Sequence, residues 1–158
     1  MSATMTAKAA ADIAGSLGYP SKMPGTSYGI PATACKVGSK LHRQSSTVCS
    51  DCYALKGNYI FPSVAKAQAK RLAAIDNPRW VDAMVAMLRR AHGLDGRKPH
   101  ASVTDPGYHR WHDAGDVQSR AHIVAICAVA NRTPEIAHWI PSKELAMWLD
   151  YVATGGII

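Results

Sequence analysis

The sequence predicts an α/β chain built of βα units of a partial or truncated (β/α) barrel-like sheet, preceded by a Cys-containing irregular N-terminal region. Three observations lead there. Residues 100–154 alternate short β-prone runs with amphipathic stretches, as parallel βα units do. Residues 18–48 are instead interrupted by Gly18, Pro20, Pro24, Gly25, Gly29 and Pro31. At 158 residues the chain has room for one domain, short of the roughly 250 residues a closed barrel takes. The single domain, 1–158, divides into a poorly structured lead-in over 1–34, a Cys-containing metal-loop region over 35–61, and helices with βα units over 62–158.

The elements follow from local chemistry. Ala9–Leu17 suits a short helix. Ser63 is placed to cap a helix to about Ile75, with Val64, Ala67, Leu72 and Ile75 as its apolar stripe. Asn77-Pro78 reads as an N-cap followed by proline at the first helical position. Trp80, Met84 and Leu88 then share a face, and Gly93 ends the helix. His100–Val103 and Tyr108–His112 read as strands around the turn Thr104-Asp105-Pro106-Gly107. Ser119 caps a helix to Asn131 with Ile123, Ile126, Cys127 and Ala130 inward. Glu135–Ile140 is a strand, and Ser142 caps a last helix that stops before Gly155-Gly156. Trp80 and Trp148 lie on amphipathic faces and read as core.

Composition narrows the function classes. Hydrophobic residues make up 47% and charged residues 18%, which excludes wholesale disorder. No apolar run nears the roughly 20 residues of a membrane span, and no secretory leader is evident, so a cytoplasmic protein with no membrane partner is expected. Net charge is +7 and concentrated early: residues 1–76 hold nine Lys/Arg against three Asp. Such a half suits nucleic acid or a nucleotide, whose phosphates release counterions to Lys and Arg; a solvated basic surface has the same composition.

Cys35, Cys49, Cys52 and Cys127 are unevenly placed. Cys127 falls on a helical apolar face and reads as a buried structural thiol. Cys49-Ser-Asp-Cys52 is a C-x2-C pair, and Cys35 lies in the same irregular region. Without a secretory context this points to metal or redox chemistry rather than a disulfide. A thiolate triad suits an iron–sulfur cluster with an open position, or zinc with His42 as fourth ligand.

The densest polar stretch is Tyr108–Gln118. Strand alternation places Arg110 and His112 on one face, and His109 and Trp111 on the other. Asp113 and Asp116 then fall at the C-terminal mouth, where parallel α/β folds assemble their sites. Arg110 suits a phosphate or carboxylate, His112 acid–base work or ligation, and Asp113 or Asp116 a base, nucleophile or base-edge acceptor. Gly115 allows close approach or positive φ. A solvated βα loop with a capping Asp116 is the bland alternative.

Taken together, Cys49-Ser-Asp-Cys-Tyr-Ala-Leu-Lys-Gly-Asn-Tyr59, Arg110-Trp-His-Asp-Ala-Gly-Asp116 and Trp139-Ile-Pro-Ser-Lys-Glu144 resemble the phage "gene product 88" family. The resemblance runs over about residues 25–145. It implies a phage or prophage setting, hence the cytoplasm of an infected or lysogenic bacterial host, and places Tyr53, Lys56 and Gly57 at a cofactor. The Cys-Tyr-Ala opening is also similar to the cluster segment of radical S-adenosylmethionine-type enzymes. That implies an iron–sulfur cluster on Cys35, Cys49 and Cys52, with S-adenosylmethionine as a cofactor.

The expectation is a metal enzyme acting on a nucleobase or nucleic-acid-related substrate through Arg110, His112, Asp113 and Asp116. Two alternatives stand beside it. One is a zinc-stapled nucleic-acid-binding module without catalysis. The other is a barrel-type nucleobase-exchanging (transglycosylase-like) enzyme with an aspartate nucleophile.

Overall fold

A computed structural model describes residues 5–157. In order it contains α1 (Ala7–Ala14), β1 (Thr26–Tyr28), α2 (Lys36–Leu41), α3 (Pro62–Ala74), α4 (Trp80–Ala91), β2 (Tyr108–Trp111), α5 (Arg120–Asn131), β3 (Ala137–Trp139) and α6 (Leu145–Ala153). Short 3-10 turns occupy Ala32–Ala34, Tyr53–Leu55 and Gly57–Ile60. The strands form an open, fully parallel sheet in the order β1-β2-β3. The mixed α/β class therefore holds, as a small open sheet.

The two faces of the sheet differ. Tyr28 pairs with Trp111, Thr26 with His109, and His109 with His138, so these side chains share one face. Helix α4 packs there: Trp80 lies edge-on to Tyr28, with ring centroids 5.7 Å apart, and 5.8 Å from Trp111. Its indole N–H donates to the Tyr28 hydroxyl at 3.0 Å, and that hydroxyl donates to the carbonyl of Ala14. One polar group thus joins β1, α1 and α4. Helices α1 and α5 pack on α4, and α6 on α5. On the opposite face Ser27, Arg110 and Trp139 stand in register, with the Arg110 guanidinium 4.5 Å from the Trp139 ring centre.

Several helix signals act as their chemistry requires. Ser119 accepts from the His122 N–H at 3.1 Å and starts α5. Beyond α4, Gly93 has φ +76 and the Leu94 N–H returns to the Arg89 carbonyl. Other boundaries move. Ser63 is not a cap: α3 begins at Pro62, with Phe61 before it and no side-chain cap. Asn77 accepts from the Arg79 N–H within an Asx-type turn, so α4 begins at Trp80. The lead-in is ordered where it is described: α1 is capped by Thr6, and all three residues of β1 are buried. Only its first four residues lie outside the description. His100–Val103 is a turn, closed by the Val103 N–H on the His100 carbonyl.

The packed face buries imidazoles in fixed tautomers. His92 Nδ1 must donate to the Pro106 carbonyl (2.6 Å), so its Nε2 accepts from the Thr26 hydroxyl (2.8 Å), which in turn accepts from His109 Nδ1 (2.7 Å). His138 Nδ1 accepts from the Trp111 indole at 3.0 Å, and its Nε2 donates to Thr133 at 2.9 Å. Burial lowers the pKa of His112 to about 3, and those of His122 and His138 to about 4. Folded values below the unfolded value mean that stability is full above about pH 6.5 and is lost as pH falls toward 4. Each such histidine contributes a slope of about 1.4 kcal/mol per pH unit within that window. Urea denaturation at several pH values checks this, and unchanged stability from pH 7 to 5 would contradict it.

Candidate functional site

The segments that follow all three strands meet at Cys35. After β2, the chain turns at Gly115, whose φ is +82 and where a Cβ would stand 2.3 Å from Ile30 Cγ1. Only glycine fits there, and it delivers Asp116 to the mouth. Asp116 is buried, and its carboxylate is fully engaged. Oδ1 accepts from the Val117 N–H (2.8 Å) and the Ser142 hydroxyl (2.7 Å), while Oδ2 accepts from the Lys143 N–H (2.6 Å). It therefore joins the segment after β2 to the segment after β3. Burial raises its pKa, partly offset by these bonds.

A second carboxylate completes the join. Glu144 is buried, and its Oε1 accepts from the backbone N–H groups of Lys36 (3.0 Å) and Val37 (2.7 Å), the first residues of α2. The Lys36 ammonium donates to the Gln118 carbonyl at 2.6 Å, and the Gln118 amide to the Ala34 carbonyl at 3.2 Å. Cys35 is pinned from both sides. Neither Asp116 nor Glu144 makes an ion pair among the described residues.

Cys35, Cys49 and Cys52 are free thiols of intermediate burial. Gly38, one turn into α2, faces two of them: a Cβ there would stand 3.6 Å from Cys35 Sγ and 3.7 Å from Cys49 Sγ. Burial, then the charges of Asp116, Cys52, Cys49 and Glu144, push the Cys35 thiol up to about 12. Cys52 packs beside Ala32, Ala54 and Ala114. His42 is exposed, with Nδ1 on the Cys49 carbonyl at 2.8 Å. Among the described residues no three His, Cys, Asp or Glu stand close enough to hold a single ion, so the Cys35–His42–Cys49–Cys52 tetrad is not assembled.

Of the strand residues, Arg110 and Asp113 line an open cleft of about 1020 Å³ together with Tyr53, Lys56 and Gly57. Arg110 Nη2 donates to the Tyr53 hydroxyl (3.1 Å), which donates to the Asp113 carbonyl (2.6 Å). The Tyr59 hydroxyl donates to Asp113 Oδ2 at 3.3 Å, while Asp113 Oδ1 is buried without a partner. Lys56 reaches Asp51 at 2.6 Å on the exposed rim. His112 is elsewhere. Its φ of +55 breaks the strand alternation and turns the ring to the packed face, where it is 3% exposed and 5.4 Å from the His122 ring. Alternation had placed it beside Arg110; the left-handed backbone at the strand end reverses that.

A family model described as Gene product 88 matches residues 2–157. The chain belongs to the Gene product 88 family. Comparison with the curated proteins and with the solved structures finds no match. In this Gene product 88 family member the two motif segments meet in space, since Tyr53 and Tyr59 contact Arg110 and Asp113. No described helix is long and apolar enough to cross a membrane.

Glu144, Gly38, Gln68 and Lys22 carry no site role in the sequence pattern. Glu144 resembles any first-turn helical acid, and its partners lie 107 and 108 residues away. Replacing Asp116 by Ala leaves two backbone N–H groups and a hydroxyl without their acceptor. A loss of about 3 kcal/mol in urea denaturation is expected, since bonds to charged groups contribute about 1.5–3 kcal/mol each. Wild-type stability in Asp116→Ala would show that this join does not hold the mouth.

Proposed function

We propose that this protein is an enzyme whose Cys35, Cys49 and Cys52 hold an iron–sulfur cluster beside a cleft that takes a nucleobase-bearing substrate. The observation that carries this reading is that Cys35 and Cys49 face a common space left open by Gly38, with Cys52 near enough to act on the Cys35 thiol, at the C-terminal mouth of a parallel sheet. The donor set fits the group. Thiolates are the ligands such clusters take, and loading one would draw the three sulfurs into a set that does not stand assembled among the described residues.

A bound cluster would supply electron transfer and an open iron position, with S-adenosylmethionine as the class of cofactor for it. The chain's own residues orient the pieces. The Asp116 and Glu144 carboxylates hold the thiol loop, Arg110 and Tyr53 fix the cleft wall, and Asp113 presents a carboxylate oxygen. The sheet suits a partial barrel, since helices cover one face and Arg110 stands on the other, the side that lines a barrel's interior. A transglycosylase-like role for Asp116 would require giving up three hydrogen bonds.

Metal analysis on protein purified without oxygen and reconstituted with iron and sulfide tests the proposal. About four irons per chain are expected, with visible absorption bleached by dithionite. Cys35→Ser, Cys49→Ser, Cys52→Ser and Gly38→Val should each lose most of it, while His42→Ala keeps it. One colourless zinc per chain that is lost in His42→Ala would overturn the cluster in favour of the zinc staple.

A further inference from the structure

The cleft on the open face of the sheet has a composition that the thiol site does not explain. One wall is the segment 18–23, the other is the turn after Cys52 together with α3, and Ser27 and Arg110 of the sheet lie at its base. Four cations line it, Lys22, Lys56, Arg71 and Arg110, against the single carboxylate of Asp113. Lys22, Arg71 and Arg110 make no ion pair among the described residues. Arg71 is buried, with Nε and Nη1 spent on the Ser16 and Gly29 carbonyls at 2.7 and 3.1 Å. Arg110 is held flat by the Trp139 ring and the Tyr53 hydroxyl. A guanidinium fixed in this way, with no carboxylate of its own, is arranged to receive an anion.

The same walls expose aromatic faces. Tyr53 is 51% and Tyr19 38% exposed, and both line the cleft. Gln68 lines it too, at 5% exposure, and its carboxamide has no hydrogen-bond partner among the described residues. Its amide group opens on the cleft rather than being sealed from it, so it is free to pair with a ligand there. An amide offers both a donor and an acceptor, which matches a base edge or a ribose hydroxyl. Anion-receiving guanidinium, flat apolar faces and an unpaired amide in one cleft of about 1020 Å³ describe a ligand with a phosphate at one end and a planar ring at the other.

We propose that this cleft binds a nucleoside monophosphate, its phosphate against Lys22 and Arg110, its base on Tyr53 and its polar edge or ribose at Gln68. This rests on the reading of the cleft as the substrate side of the enzyme and names the substrate class, but the binding needs no metal. The cluster and the nucleotide can therefore fail separately.

The test is calorimetric titration of metal-free protein at low salt with nucleoside 5′-monophosphates, the parent nucleosides, ribose 5-phosphate and a single-stranded oligonucleotide. The monophosphate with the best-matched base should bind at least about tenfold more tightly than its nucleoside and than ribose 5-phosphate, a difference of about 1.4 kcal/mol. Lys22→Gln, at an exposed residue, should weaken the monophosphate about tenfold with unchanged melting. Tyr53→Ala should weaken the monophosphate severalfold more than ribose 5-phosphate, which loses only the support that the Tyr53 hydroxyl gives Arg110, and Gln68→Leu should reduce discrimination among bases or between ribose and deoxyribose forms. Absence of monophosphate binding at millimolar concentration in protein of normal melting would overturn the proposal. Ribose 5-phosphate binding as tightly as the nucleotide would overturn the base contact. An oligonucleotide binding tenfold more tightly than any monophosphate would replace the mononucleotide with a strand.

Discussion

The mouth of this sheet depends on two carboxylates that bind backbone rather than cations. Asp116 gathers the Val117 and Lys143 N–H groups and the Ser142 hydroxyl, and Glu144 gathers the N–H groups of Lys36 and Val37. Three strands of three or four residues cannot define the position of long connecting loops by ladder hydrogen bonds alone. A buried carboxylate can, because leaving it unpaired is costly and its acceptor directions are fixed. The loop after β1 thereby acquires a position relative to the loops after β2 and β3, and Cys35 acquires it with them.

The second constraint is the polar chemistry buried on the packed face. Tyr28, Trp80 and Trp111 form an aromatic centre whose hydroxyl and indole groups are all paired, and the Thr26–His92–His109 and Trp111–His138–Thr133 chains extend it. Each link allows a single direction of donation, which specifies rotamer and tautomer as an apolar contact would not. His109 Nε2, His112 and His122 are exceptions. Both His112 nitrogens and His122 Nε2 are buried without a partner, and the backbone at His112 is left-handed. The strand end is held there against its local preference by the packing around it.

The sequence made the helices legible and the sheet only partly so. Ser119, Gly93 and the apolar stripe of α4 carry local signals that the structure keeps. Strand β1 was hidden because Thr26-Ser27-Tyr28 is three residues long and flanked by Gly and Pro; its burial comes from β2 and α4, which lie far along the chain. His100–Val103 has β-like composition but no strand neighbour, so it closes on itself as a turn. In the site, Arg110 and Asp113 are legible as polar residues at or after a strand, and Tyr53 as part of the Cys49–Tyr59 motif. The facing of His112 was not, since one positive φ reverses a period-two pattern. Glu144 is marked only as the end of the Trp139–Glu144 segment, without a role, and Gln68 not at all, because what sets them apart is the distant group or cleft they face.

The thiols and the cleft are mechanically joined through one short turn. Cys52 stands immediately before the 3-10 turn Tyr53–Leu55, and its side chain packs toward Ala32, Ala54 and Ala114. The next residue, Tyr53, points the other way, with its hydroxyl between Arg110 and the Asp113 carbonyl. Ala114, which packs with Cys52, follows Asp113 directly and also accepts from the Ile30 N–H. Displacing Tyr53 therefore moves the backbone that carries Cys52, and displacing Asp113 moves the residue against which Cys52 packs. Cys52 and Tyr53 share the backbone at the start of this three-residue turn. The open face and the thiols are for this reason linked through one turn, while each keeps its own binding groups.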